Sequence, residues 1–411
     1  MYRRRITTWI SLIVLVSLTF GGGYWLGRHD QPTPTAVAQD DSGTDELFAP
    51  FWEAWDLLHA NYVDPLDDNV LMEGALSGMM SAVGDRHTEY MPPQRYTQAQ
   101  EALSGNYEGI GASVSQDPDT GALVIVRPFP GSPAETAGLR QGDQIVTVDG
   151  EDVTELDQSI IIGMVKGPAG TQVELGIRRA GNEELLMVSV TRAQIVTPTV
   201  DYEVFDGEIG YILLTSFSDN SDEELAQALI DMNAEHLKGL IIDLRGDTGG
   251  YLDTALATMS MFISEGTIFI ERGPDGAEEK IQAYGNPIAP TVPMVVLVDG
   301  FSASASELFS GTMQDYKRAV ILGTPTFGKG SVQTWRGLSN GGGIRITISR
   351  WFTPKDRSVE PDGIQPDIEL EYVPLEEGQV YDRTTDNQIQ AAIEQIHRMT
   401  SPQAAVPAGQ S

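Results

Sequence analysis

The chain contains no cysteine. That excludes disulfides, thiol catalysis and cysteine-ligated metal, and it makes an oxidising compartment no hazard. Histidine is scarce as well, with five in 411 residues, so a hydrolytic site has few imidazoles to draw on. Positive charge is short: 26 Lys and Arg face 59 Asp and Glu, a formal net charge of −33. Such an acidic surface repels nucleic acid and anionic lipid, which excludes both as partners of the soluble part. What the chain does have is length, more than one compact core can use, so two or three domains are expected.

Charge is missing altogether from Ile6 to Gly27, directly after Arg3, Arg4 and Arg5. As a helix, this run is about long enough to cross a ~30 Å hydrocarbon core. The arginines keep the amino end cytoplasmic. Residues 1–28 are therefore expected to be a single-pass membrane anchor, with everything after Arg28 periplasmic or extracellular. The alternative is an exported chain whose signal peptide is cleaved near Ala36-Val37-Ala38. Residues 29–45, polar and broken by Pro32 and Pro34, read as a flexible linker. Residues 46–104 read as a helical segment: Leu47, Phe51, Trp55, Leu58 and Tyr62 recur at helical spacing, and a second helix spans Val70 to Val83. Packing accounts for these faces. His87, after the Gly84-Asp85 turn, reads as a turn residue.

Residues 105–194 look like a separate β-rich unit. Gly109-Ile110-Gly111-Ala112 opens a strand, and Ala122 to Arg127 is another. Ser132 caps a short helix with Pro133 in its first position. Gln144 to Val148 leads to an Asp149-Gly150 hairpin turn, and Val173 to Arg178 and Leu185 to Val190 alternate as strands. The order, with its Ser-Pro-Ala, Ala-Gly-Leu and Gly-Asp signature, resembles a PDZ domain. That resemblance implies capture of a peptide carboxylate by the loop Gly109, Ile110, Gly111 and Ala112, the peptide adding as a strand.

In residues 195–375, Ile209 to Thr215, Gly239 to Leu244 and Met294 to Val298 are apolar strands, and Asp222 to Asn233 is an amphipathic helix expected to be capped by Ser221. Chemistry on such an α/β core collects where strand ends lead into helices. Two segments occupy that position, Asp243-Leu244-Arg245-Gly246-Asp247-Thr248-Gly249-Gly250 and Ser302-Ala303-Ser304-Ala305-Ser306-Glu307. A helix beginning near Ser304 and ending about Tyr316 puts a serine beside free N–H groups and the positive end of the helix dipole. Any of the three serines suits a nucleophile, and capping is the plainer use. Lys329, between Gly328 and Gly330, becomes a base if burial lowers its pKa by up to ~3–5 units. Gln333 lies four residues on, on the same side of the backbone, with a carbonyl able to orient the amine. A phosphate loop is excluded, because glycine follows Lys329 where Ser or Thr is required.

With Phe327-Gly328-Lys329-Gly330-Ser331-Val332-Gln333 and Gly363-Ile364-Gln365-Pro366-Asp367 added, the chain from about 46 to 400 resembles the carboxyl-terminal processing (tail-specific) proteases, PDZ-containing serine peptidases. The resemblance implies a Ser–Lys dyad with Ser304 as nucleophile, Lys329 as general base and Gln333 as its orienter. It also implies an oxyanion hole from the amides of Gly250 and Ala305, and neither metal nor cofactor. The expected fold is an α/β catalytic core with an inserted β-rich PDZ domain, leading and trailing helices, and one N-terminal transmembrane segment. Substrates are polypeptides with accessible carboxyl termini, neutral or apolar in their last residues given the charge. Gly246-Asp247-Thr248 departs from the family's commoner Asn-Asn-Pro, and Lys166 stands where relatives often carry arginine. Asp247 sharpens a rival reading, an inactive PDZ-bearing envelope adaptor. Residues 376–400 form a helix with Ile389, Ala392, Ile393 and Ile396 on one face, which packs on the core or pairs subunits into a homo-oligomer. Residues 401–411 read as a disordered tail.

Overall fold

The computed structural model describes residues 41–117, 121–182, 184–285, 287–374 and 381–401. The apolar run from Ile6 to Gly27 and the tail from 402 lie outside them. Among the described residues no helix is long and apolar enough to cross a membrane. The chain divides into two compact units, one ending at Met72 and one beginning at Glu73.

In the first unit, α1 (Asp41–Asn61) starts inside the segment expected to be linker. Asp45 and Glu46 near its start suit the positive end of the helix dipole, which the tether reading overlooked. The helix carries an aromatic ladder, with Trp55 stacked on His59 at 4.9 Å and Phe51 edge-on to Trp52 at 5.1 Å. Leu47, Trp52, Leu57, Leu58 and Tyr62 are exposed. A second helix, α2 (Asp68–Ala82), also has no buried residue.

The second unit opens with β1 (Glu89–Met91), α3 (Pro93–Ser104) and β2 (Asn106–Gly109). The strand β1 was expected to be helical; it pairs instead with β18 of the core, described below. A β-rich body follows: β3 (Ala112–Gln116), β4 (Leu123–Pro128), α4 (Pro133–Thr136), β5 (Gln144–Val148), β6 (Glu151–Asp152), α5 (Gln158–Val165), β7 (Gln172–Arg178) and β8 (Leu186–Thr191). The strands run β3-β4-β5-β7-β8 with β6 on β5, around buried Leu123, Ile125, Ile145, Val148, Leu175 and Ile177. Ser132 caps α4, its hydroxyl accepting the Glu135 N–H at 3.2 Å, with Pro133 at the first position. Asp149 and Gly150 take φ of 50° and 85°, the left-handed pair that a tight two-residue hairpin needs.

The strand β9 (Ala193–Val196) returns to pair with β2. The remaining chain forms β10 (Val200–Phe205), β11 (Ile209–Leu214), α6 (Ser221–Asp231), β12 (Gly239–Asp243), α7 (Leu252–Ser260), β13 (Thr267–Arg272), β14 (Glu278–Gln282), β15 (Met294–Val298), α8 (Ala305–Asp315), β16 (Val320–Gly323), β17 (Ser331–Gly337), β18 (Gly343–Phe352), β19 (Ile368–Glu369) and α9 (Asn387–Thr400). One sheet runs β10-β11-β12-β15-β16-β19, parallel from β11 onward. Burial on both faces explains its near-continuous apolar strands. A second, antiparallel sheet runs β1-β18-β13-β14 with β17 on β18. Ser221 is not the cap of α6: Asn220 holds that position, and the Ser221 hydroxyl donates to the Ser216 carbonyl at 2.8 Å. The apolar face of α9 buries Ile389, Ala392 and Ile396 with Ile241, Val295 and Leu297, so this face packs on the core.

Candidate active site

Strands β12 and β15 are parallel neighbours, with Asp243 beside Leu297. Their carboxyl ends therefore deliver the two candidate loops to the same place, and hydrogen bonds join them. The Ser302 hydroxyl donates to the Leu244 carbonyl at 2.7 Å, and the Ser306 hydroxyl to the Asp247 carbonyl at 2.9 Å. The Asp247 carbonyl also accepts the Ala303 N–H at 3.0 Å. Ser302 and Ser306 are wholly buried in these ties. Ser304, half-buried, lines a cleft of about 940 Å³ instead.

Ser304 is the N-cap of α8, with φ 54° and ψ −111°. A side chain rarely tolerates this left-handed conformation, and such strain collects at functional sites. Gly249 explains how the first loop fits around it. At φ 100°, a Cβ on Gly249 would lie 2.9 Å from both the Ser304 Cβ and the Ala305 nitrogen. Only glycine allows that approach. Gly250 bridges to Phe217, and a Cβ there would fall 2.2 Å from the Phe217 oxygen. Among the described residues, neither the Gly250 N–H nor the Ala305 N–H has a protein acceptor.

Glu307 ties the Ser304 segment to the Lys329 segment. Wholly buried, its Oε2 accepts the backbone N–H of Ser304 and of Lys329, each at 2.8 Å. Its Oε1 accepts the Gly328 N–H at 2.7 Å and the Thr326 hydroxyl at 2.6 Å. One carboxylate thus holds both backbones. Sequence reasoning quoted Glu307 within a motif but gave it no task; its polarity inside a helix-start motif was the available signal.

Lys329 lines the same cleft. Burial lowers its amine to about 8, the Arg345 guanidinium pushes the same way, and Glu307 and Asp85 oppose them. Gln333 also lines the cleft. Its Nε2 donates to the Ser331 hydroxyl at 2.8 Å and, more weakly, toward Thr347 Oγ1 at 3.4 Å. No hydrogen bond joins Gln333 to Lys329, or Lys329 to Ser304. The same-side argument from spacing also fails, because Lys329 precedes β17 and a register shift falls between Val332 and Gln333. Cleft walls supply proximity instead.

The Asp85–Thr88 turn reaches this region from far away in sequence. Arg86 Nη2 donates to the Gly328 carbonyl at 3.2 Å, and Arg345 Nε to the His87 carbonyl at 3.1 Å. The His87 N–H donates to Asp85 Oδ1, as a turn residue should. Burial lowers the His87 imidazole, and the charges of Lys329 and Arg86 lower it further.

Asp247 turns its Oδ1 to the Gly249 N–H at 2.8 Å, while Oδ2 is buried without a partner. Burial pushes its carboxyl up to about 8. Burial thus favours the protonated form of a side chain that braces the glycine loop through Gly249. In the β-rich body, Gly111 takes φ 75°, and a Cβ there would lie 2.6 Å from the Ser132 Cβ. Ile110 is buried in that body's core. The Ile110 and Gly111 carbonyls accept the N–H groups of Ala134 and Phe129. Lys166 pairs with Glu101 at 2.6 Å and lies over the Tyr107 ring.

Family models match residues 208–370 as peptidase family S41, residues 124–179 as a PDZ domain, and residues 12–94 as the N-terminal domain of the activating protease CtpB. The chain is 32% identical to the carboxy-terminal processing protease CtpB of Bacillus subtilis over 372 residues, covering 88% of this chain and 77% of that one. It is 34% identical to the carboxyl-terminal-processing protease of Synechocystis over 397 residues, 92% of this chain and 91% of that one. A solved structure from Bacteroides fragilis, assigned provisionally to the S41 proteases, shares the fold. It has a TM-score of 0.51 and 17% identity over 83% of this chain and 92% of that one. The chain belongs to the carboxy-terminal processing proteases of peptidase family S41, serine endopeptidases that carry a PDZ domain.

Proposed function

We propose that Ser304 is the nucleophile and Lys329 its general base. The observation that carries this reading is a single one: Glu307 binds the backbone N–H of both residues, beside a lysine lowered to about 8. Neutral Lys329 takes the Ser304 hydroxyl proton as Oγ attacks the peptide carbonyl. The amides of Gly250 and Ala305, which have no acceptor among the described residues, receive the oxyanion that forms. The lysine ammonium returns its proton to the departing amine. It then takes one from the water that releases the acyl-enzyme. Gln333, on the same cleft, offers its carbonyl to the amine and orients it.

The PDZ loop Gly109–Ala112 receives the substrate's carboxyl terminus, with neutral or apolar last residues preferred on this acidic protein. Lys166, tied to Glu101 on the wall of the cleft, is placed to link the two bodies. Residues 1–28 anchor the enzyme so that catalysis is extracytoplasmic, a reading supported by the charge pattern around Ile6 to Gly27. The exposed apolar side chains of α1 support pairing of copies through the leading helices. The test is incubation of an unfolded protein with wild type, Ser304→Ala and Lys329→Ala. Cleavage by wild type alone is expected; equal cleavage by all three would sink the dyad.

A further inference from the structure

The mechanism leaves the Asp85–Thr88 turn without work, yet that turn lies against the base segment. Asp85 is its centre. Oδ1 accepts the His87 N–H at 3.0 Å, and Oδ2 accepts the hydroxyls of Thr88 at 2.7 Å and Thr347 at 2.5 Å. Burial alone would raise this carboxyl, but the hydrogen bonds from Thr347, His87 and Thr88 outweigh it and hold it at about 2. Asp85 is therefore an acceptor only. A hydroxyl has one proton to give, and Thr347 gives its proton to Asp85. Toward its other neighbour it can only accept.

That neighbour is Gln333, which faces Thr347 across the β17–β18 ladder. The Gln333 Nε2 lies 3.4 Å from Thr347 Oγ1, at the long end of hydrogen bonding, and 2.8 Å from Ser331 Oγ. Both amide protons thus have hydroxyl acceptors. The chain of donors fixes which end of the amide is which, something the amide's shape alone does not decide. Were the Thr347 proton not committed to Asp85, Thr347 could donate to Oε1 and the amide could turn over.

We propose that Asp85, acting through the Thr347 hydroxyl, is a positioning residue that fixes the Gln333 amide with its carbonyl oxygen left for Lys329. The inference rests on the reading of Gln333 as the partner of that lysine. It separates two effects of Asp85, orientation through Thr347 and charge. The charged groups facing Lys329 are Arg345 on β18, Glu307 on α8 and Asp85 on the turn, with His87 beside it. Removing the Asp85 charge takes away one influence that holds the proton on Lys329. Removing the Thr347 hydroxyl takes away no charge.

The experiment is peptide cleavage as a function of pH by the full chain, with thermal melting to check folding. Gln333→Ala is expected to lower kcat about 10- to 100-fold, the scale of lost orientation. Thr347→Val should lower it comparably without moving the rising limb of the pH profile, and Thr347→Ser should restore it to within about twofold of wild type. Thr347→Val combined with Gln333→Ala should be no slower than Gln333→Ala alone. Asp85→Asn should lower kcat and also move the rising limb to lower pH; with Gln333→Ala it repeats the cycle independently of whether Thr347→Val folds. If Gln333→Ala cleaves at the wild-type rate, the inference falls together with the role given to Gln333, while the dyad survives. If Gln333→Ala is slow but Thr347→Val is not, or the two losses multiply, the role of Gln333 stands and the route through Asp85 is overturned.

Discussion

The PDZ body and the peptidase core bury different things. The PDZ body is built on aliphatic side chains from alternating strands, and it pairs Arg179 with the buried Asp143 at 2.7 Å. The core has a larger apolar cluster. Around its strand ends, however, it also buries Asp247, Ser302, Ser306, Glu307, Thr326 and Ser331. One of these keeps an unpartnered oxygen, and the lysine beside them is held partly out of water. Among the described residues each region leaves one buried oxygen without a partner, Asp247 Oδ2 in the core and Thr147 Oγ1 in the PDZ body, but only the core gathers its buried polar groups around a lysine drawn partly out of water. Stability and chemistry should respond together in one region and separately in the other.

The largest expected effect is on rate. Ser304→Ala and Lys329→Ala should each lower kcat by ~10³-fold or more without unfolding the chain. Lys329→Met should be inactive and also raise the melting temperature near pH 7. The sign follows from proton counting: the amine falls from 10.5 to about 8 on folding. The folded state therefore binds fewer protons between those values, and its cost is fully present below about 8. The gain should shrink as pH rises through that window.

Next come truncations that compare the regions directly. Glu307→Ala orphans four donors, each worth about 1–3 kcal/mol when buried and unpaired, and should cost both stability and cleavage. Leu175→Ala should destabilise the PDZ body by about 2–5 kcal/mol yet leave the rate on a tail-less peptide unchanged. Calorimetry beside kcat separates the two outcomes; a Leu175→Ala enzyme slowed on that peptide would break the contrast. Smaller still is Gly111→Ala, which crowds Ser132 in a backbone that disfavours side chains. It should erase any preference for a free carboxyl over an amidated end, read as the ratio of their kcat/KM values.

The smallest effect concerns Asp247. Its carboxyl rises from 3.8 to about 8 on folding. It contributes stability that is whole below 3.8 and lost as pH rises through about 8. Asp247→Asn should therefore melt progressively higher than wild type between pH 5 and pH 9 on this scale, with kcat near neutrality little changed. A melting difference independent of pH would mean that the carboxyl does not titrate there.

Features carried by local pattern were legible in the sequence. The strands ending at Asp243 and Val298, the cap at Ser132, the Asp149-Gly150 turn and the start of α8 all follow from neighbours a few residues apart. The features that were not legible depend on distant partners. Glu307 reaches Gly328 across 21 positions, and Thr347 reaches Asp85 across 262. Gly249 looks like any loop glycine until the chain brings Ser304 against it. The three serines were alike as sequence; only the carbonyls of Leu244 and Asp247, supplied by another strand, show which two are occupied. The β1 strand exists because β18 lies beside it, and nothing within Glu89-Tyr90-Met91 announces that.

The most direct test is the pH dependence of kcat/KM for wild-type cleavage of a peptide whose own groups do not titrate between pH 6 and pH 10. A desolvated Lys329 acting as base gives a rate that rises with pH through an apparent pKa near 8. A rise centred near ~6.5, the ordinary range of histidine, or a rate already flat below pH 8, would contradict it and move the base away from Lys329.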